Sequence, residues 1–389
     1  MTNLFSKKQN NETGEKSQTR IPDLVLVIGL SAFVVTIALL YFILPSHSFS
    51  SLENRALQTR PTPRFNEVVS GTVSTELDQF YTDQMPFRTF WLSEKAFLEL
   101  SCGREENGKV ILGLDGRLIK RIEYPDLSDL SQNLDSLSAM SDTIKDKGIP
   151  VQTVIVPRTI DETRSYLPAW FDPSYCDEPW KLLETSGFSF IDLRDVLTET
   201  STPGLWYLTD HHWTTDGAYE AYAALGSTLG YTPFPKDDFL RVVATDSFKG
   251  TSYAASGMYW RPGEEISLFR YDNDETFEVN IDGKPSSLKG FYDFSAPDRG
   301  QGYEIFLGGN FARMTIHDPN EAKPTLLLFK DSFANALIPF LSRHYDLVVI
   351  DPRYFRGSYT GLLEEFSPAL ILNLYGLDTL ANPALLPKF

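Results

Sequence analysis

The chain has 389 residues, enough for one large or two medium domains whose core needs no disulfide or metal staple. With 42% hydrophobic and 22% charged residues most of it should fold, and a net charge of −17 repels phosphate backbones, so no nucleic-acid partner is expected. The two cysteines, Cys102 and Cys176, could pair in an oxidising compartment but make no framework, and no Cys/His spacing marks a structural zinc site.

In chain order, residues 1–23 are polar and short, with Lys7, Lys8, Lys16 and Arg20, and read as a cytoplasmic tail. Leu24 to Leu44 is a charge-free run of 21 residues. At about 1.5 Å per residue it spans roughly 30 Å, the thickness of a bilayer core. A cleavable signal peptide has a shorter apolar region and a small-residue cleavage site, whereas this run ends in Tyr41-Phe42-Ile43-Leu44-Pro45. The expectation is an uncleaved single-pass anchor, with the tail inside the cell membrane and the large domain outside. Arg55, Arg60 and Arg64 follow the helix, so the charge bias itself is weak.

Residues 45–105 read as a linker and helical lead-in. Pro-rich 45–65 is the linker, and 74–100 gives two short helices broken at Pro86. From 106 to 389 the pattern is that of one α/β domain. Val110–Gly113 and Arg117–Ile119 flank Asp115-Gly116 and predict a hairpin. A helix over about 127–147 ends at Gly148. Val151–Val156 is a buried strand, Phe188–Leu193 a second one, and Thr215–Leu229 a helix. Residues 240–320 hold Gly- and Asp-rich turns between short alternating runs and read as a strand- and loop-rich insertion over the site. Strand 326–329, helix 333–341, strand 347–350, a helix around 362–366 and strand 369–372 complete an alternation that implies a parallel sheet flanked by helices. Sites on such sheets form at the carboxyl ends of the strands.

Two segments can carry chemistry. In Lys330-Asp331-Ser332-Phe333 a serine stands between a buried strand and a helix, where free N–H groups can stabilise an oxyanion. Asp331 or Ser332 could equally serve only as the helix cap. In Asp210-His211-His212-Trp213, Asp210 can hold His212 by Nδ1–H and leave Nε2 free as a general base. Surface histidines beside a capping Asp, or a metal site lacking a further ligand, are the other readings. His211 and Trp213 would shape or pack the loop, and His317 and His344 read as ordinary histidines. No cofactor or metal is expected.

Asp210-His211-His212-Trp213 resembles the signature of the DHHW protein family. Ser51–Arg55, Asp83–Arg88, Leu328–Asn335 and Asp351–Phe355 agree with it in order and span about residues 50–355. That family looks like a relative of the periplasmic alginate O-acetylation proteins, whose fold is SGNH-hydrolase-like. The resemblance implies that Asp210 orients His212, that His212 activates Ser332, and that Ser332 takes an acyl group. One departure is Lys330, where the related motif has Gly. Gly308-Gly309-Asn310 could supply an oxyanion hole or be a plain turn. Arg353 could bind substrate, support the hole or form a surface ion pair. The implied function is a membrane-anchored, extracytoplasmic serine O-acyltransferase or esterase acting on a cell-surface polysaccharide and partnered by a polytopic membrane acyltransferase. The competing expectation is a catalytically silent polysaccharide-binding or assembly subunit, for which the 13% aromatic content would serve stacking on sugars rather than the core.

Overall fold

The computed structural model describes residues 21–62, 65–121, 127–199, 202–288, 290–383 and 386–388. The basic residues of the tail expected inside the cell, Lys7, Lys8, Lys16 and Arg20, lie outside the described residues. The chain divides into two compact units, residues 1–48 with 57–88, and 49–56 with 89–389. In the first unit, helix α1 (Ile21–Ile43) is followed by α2 (Thr72–Asp83). Within α1, Pro22–Ile43 is long and apolar enough to cross a membrane, and its side chains are exposed rather than packed in a core. Asp83 ties the 57–58 segment to α2 by accepting from the Gln58 N–H at 2.8 Å.

After residues 49–56, the second unit holds all but the first residue of α3 (Arg88–Ser101) and a small meander, β1 (Glu106–Asn107), β2 (Val110–Leu112) and β3 (Leu118–Lys120). The expected hairpin is its second half, with Gly116 at φ 87° in the turn. Then come α4 (Ser128–Lys145), β4 (Val151–Val156), β5 (Ile191–Asp192), α5 (Thr215–Leu229), β6 (Leu240–Phe248), α6 (Thr251–Ser256) and β7 (Glu264–Arg270). The chain finishes with β8 (Glu278–Ile281), β9 (Lys284–Pro285), β10 (Arg313–His317), β11 (Thr325–Lys330), α7 (Ile338–Leu341), β12 (Asp346–Ile350), α8 (Tyr359–Phe366) and β13 (Leu370–Gly376).

Eight strands form the central sheet in the order β9-β8-β10-β12-β11-β13-β4-β5. From β12 to β5 every pairing is parallel. Of these, β11, β12 and β13 are buried along almost their whole length, which is why they read as largely apolar runs. Leu326, Leu328, Leu372 and Leu374 face a core shared with α5. Leu327, Phe329, Ile371 and Tyr375 face the opposite core, where α4 contributes Leu130, Leu134, Leu137, Met140 and Ile144 at helical spacing.

Three expectations need correction. Residues 240–320 are not wholly an insertion over the site: β8, β9 and β10 extend the central sheet as antiparallel strands, and only β6 and β7 form a separate hairpin. The second expected strand shrinks to Ile191–Asp192, the only pair in that run to join β4. The helix expected over 333–341 is a 3-10 turn, Ser332–Ala336, followed by α7. Pro339 explains the break, since it has no N–H and sits in the first turn of α7. Cys102 is exposed, Cys176 is buried and both are free thiols, so they do not pair.

Candidate active site

The loop from Leu205 to Thr214 is closed on itself before any other element touches it. Trp206 and Trp213 pair as an isolated antiparallel bridge, and Thr214 N donates to Leu205 O at 2.8 Å. The Glu264 carboxylate at the start of β7 accepts from Leu208 N (2.8 Å), Thr209 N (2.6 Å) and the Thr209 hydroxyl. Thr214 then caps α5 by accepting from Gly217 N. Trp213 is fully buried and donates its indole N–H to Phe333 O at 3.0 Å, which docks this loop on the turn after β11.

Asp210 is buried and fully engaged. Its Oδ1 accepts from the His212 ring Nδ1 at 2.5 Å and the His212 backbone N at 2.9 Å, and its Oδ2 accepts from Thr251 N at 2.6 Å. Burial opposes ionisation of this carboxyl. The neighbouring His212 and His211 charges and these hydrogen bonds outweigh it and hold the group well below the usual carboxylate range. Gly250 lets α6 approach this closely, because a Cβ there would stand 2.3 Å from the Asp210 Cβ.

The other ring nitrogen of His212 completes a line. Nε2 lies 2.8 Å from Ser332 Oγ, across 120 residues of sequence. The imidazole lies flat against the Tyr303 ring, with centroids 3.9 Å apart and planes at 7°, and Phe333 closes its edge at 4.9 Å. His212 is buried while Ser332 is half-buried, so the hydroxyl is the reachable end of the line.

Ser332 sits at the carboxyl end of β11, where the alternation of strand and helix placed it. Asp331 is the cap: Oδ1 accepts from Phe333 N at 3.0 Å, while Oδ2 accepts from Gly376 N at 2.7 Å and Thr379 Oγ1 at 2.6 Å. One carboxylate therefore joins the ends of β11 and β13. The Ser332 N–H opens the 3-10 turn and has no acceptor among the described residues.

The remaining expected residues are placed differently. Gly309 N donates to Phe306 O at 3.3 Å, so it closes a turn and is not free to serve an oxyanion. Asn310 does pack on the Ser332 turn. Its Oδ1 accepts from Lys330 Nζ at 2.6 Å, which turns its NH2 away from the lysine. Lys330 is buried and also donates to Asn335 Oδ1 at 2.6 Å; burial pulls its pKa down to about 8 against the pull of Asp351. The lysine that stands where the related motif has glycine is thus a buried brace across the turn. Arg353 forms a two-pronged ion pair with Asp351 at 2.9 and 2.6 Å, and beside it lies a cavity of about 300 Å³ lined also by Lys330, Asp331 and Tyr375.

His211 points elsewhere: its Nδ1 meets Thr251 Oγ1 at 2.6 Å, and burial together with the charge of His212 pulls its pKa down to about 3. His317 pairs with Glu278, and His344 meets the Tyr222 hydroxyl at 2.8 Å. Asp210, His211 and His212 bring three donor atoms within 4.8 Å, the spacing of a metal site. Both Asp210 oxygens and both His212 nitrogens are already hydrogen-bonded, however, so a metal would have to dismantle the line. Sequence reading missed Tyr303, Gly250, Thr251 and Glu264. The Gly250-Thr251 pair at a helix start was the one local signal available.

Residues 192–350 match the family model described as DHHW protein, and residues 114–267 match one described as SGNH hydrolase-like domain, acetyltransferase AlgX. Among curated proteins none matches. The crystal structure of a DHHW family protein from Eubacterium siraeum is similar at 20% identity and a TM-score of 0.59, over 71% of this chain and 93% of that one. Bacillus cereus PatB1, solved with a sulfonyl adduct, is similar at 17% identity and a TM-score of 0.58, over 70% of this chain and 97% of that one. At these identities the structural likeness shows the fold: the chain has an SGNH hydrolase-like α/β fold and is similar to the DHHW protein family over residues 192–350.

Proposed function

We propose that this protein is a membrane-anchored, extracytoplasmic serine O-acyltransferase or esterase acting on a cell-surface polysaccharide. The observation that carries the proposal is the unbroken hydrogen-bonded line Asp210–His212–Ser332. The acetyltransferase named in the second family model supports the same reaction class.

In this reading His212 Nε2 takes the Ser332 proton as Oγ bonds to the acyl carbon. Asp210 keeps the ring in the tautomer with Nδ1–H and stabilises the imidazolium that forms. The free Ser332 N–H meets the oxyanion, and the Asn310 NH2, aimed by Lys330, is the second donor. Collapse expels the leaving group with the proton from His212. A sugar hydroxyl or water then gives its proton to His212, attacks the acyl-serine and restores Ser332. Pro22–Ile43 anchors the chain with its C-terminal domain outside, where a polytopic membrane acyltransferase would supply the acyl group.

The test uses full-length protein in detergent and p-nitrophenyl acetate. Ser332→Ala and His212→Ala should each reduce p-nitrophenol release to background. Unchanged rates in both variants remove the assignment, and a wild type that cleaves no ester leaves a silent subunit in its place.

A further inference from the structure

A cleft of about 520 Å³ lies on the same domain, and Asp210, His212 and Ser332 do not line it. One wall is Trp170, and the others include Lys95, Glu99, Arg104, Glu105 and Asn107. Trp170 is 51% exposed, yet it is held from two sides. Its indole N–H donates to Glu105 Oε2 at 2.5 Å, and its ring meets the edge of Phe171 at 5.9 Å, which in turn meets Tyr175. A large aromatic plate fixed in one orientation and left facing the cleft is available for stacking. Flanked by carboxylates, an amide and cations, it offers what a sugar ring requires: a flat apolar surface for the C–H face and hydrogen-bonding groups for the hydroxyls.

Charge narrows the ligand. The cleft sets Lys95 and Arg104 against Glu99, Glu105 and Glu106, on a chain whose net charge is −17. A polyanion would meet net repulsion there, and an uncharged chain would not. The cleft is also tied to the candidate active site. Asn107 Nδ2 donates to Ser256 O at 2.6 Å and Gly108 lies against Ala255 O, both at the end of α6. The other end of α6 is Thr251, whose N–H holds Asp210. Five helical steps, about 7.5 Å along the helix, separate Thr251 from Ser256.

We propose that this cleft is a binding subsite for an uncharged glycan chain, with Trp170 as its stacking platform. It names the acceptor class for the Ser332 site and in that respect rests on the function proposed above, although binding itself does not require turnover.

Full-length wild type and Trp170→Ala would be compared by titration calorimetry with cellohexaose, N-acetylchitohexaose and polygalacturonate, and by p-nitrophenyl acetate hydrolysis. The expected result is wild-type binding to at least one of the two uncharged hexamers, at least tenfold weaker binding by the variant, no binding of polygalacturonate, and equal ester hydrolysis. Equal affinity of the two proteins, absence of hexamer binding in the wild type, or preference for polygalacturonate overturns the subsite. Loss of ester hydrolysis in the wild type instead condemns the Ser332 reading and leaves the binding result standing by itself.

Discussion

Tyr303 lies face to face with His212, 3.9 Å between ring centroids and 7° between planes, while Asp210 holds the same imidazole by its edge. The ring is thus fixed in two perpendicular directions, and its free nitrogen is left on Ser332. Stacking of this kind contributes about 0.5–1.5 kcal/mol beyond area burial. Tyr303→Leu should therefore lower kcat for p-nitrophenyl acetate roughly tenfold, while Tyr303→Phe, which keeps the stacked plane, should stay within about twofold of wild type. Equal rates for all three proteins would show that the stack does not position the base.

Asp331 makes three hydrogen bonds that join two strand ends, to Phe333 N, Gly376 N and Thr379 Oγ1. Removing it leaves buried donors unsatisfied, at about 1–3 kcal/mol each. Asp331→Ala should lower the unfolding free energy by about 3 kcal/mol or more and slow ester hydrolysis by loosening the Ser332 turn. Denaturant unfolding measures the first effect. A midpoint unchanged from wild type would mean that the turn holds without this carboxylate.

Much of the fold could be read from the chain because its strands are buried on both faces. Runs such as Val154–Val156 and Leu326–Phe329 are apolar at every position, as suits a strand covered on both faces. Of the antiparallel strands, Arg313–His317 alternates in burial and Glu278–Ile281 is mostly half-exposed, and such patterns do not say which sheet a strand joins. Their place was therefore misread as an insertion. At the site, Asp210 and His212 are two residues apart and their pairing is a local matter. The meeting with Ser332, 120 residues on, and with Tyr303 depends on tertiary packing, which no spacing rule encodes. The resemblance to a known family supplied the first of these and was silent on the second. Lys330 was read only as a departure from the glycine of the related motif; its burial and its two asparagine partners became visible only in three dimensions.

Gly250 is where α6 meets Asp210. A methyl group there would stand 2.3 Å from the Asp210 Cβ, far inside any contact distance. Gly250→Ala should push Asp210 from its place behind His212 and imitate Asp210→Asn, for which a loss on the order of 10³–10⁴ in kcat is expected when the wrong tautomer prevails. Equal activity of Gly250→Ala and wild type would show that the Thr251 N–H bond to Asp210 is dispensable.

Glu162 stands at the end of the short helix Thr159–Glu162 that follows β4. Burial, helped by the charge of Asp161 and opposed by Arg194, pushes its pKa up to about 8. In the unfolded chain a glutamate titrates near 4.5. Between those values the folded protein holds a proton that the unfolded chain has released, so stability falls as pH rises from about 4.5 to about 8. Glu162→Gln cannot ionise and should remove this slope. The variant should melt like wild type near pH 4.5 and distinctly higher than wild type at pH 8.5, as followed by thermal unfolding at both values. Parallel pH profiles for the two proteins would mean that Glu162 is ionised in the fold and that its neighbours, not burial, decide its charge.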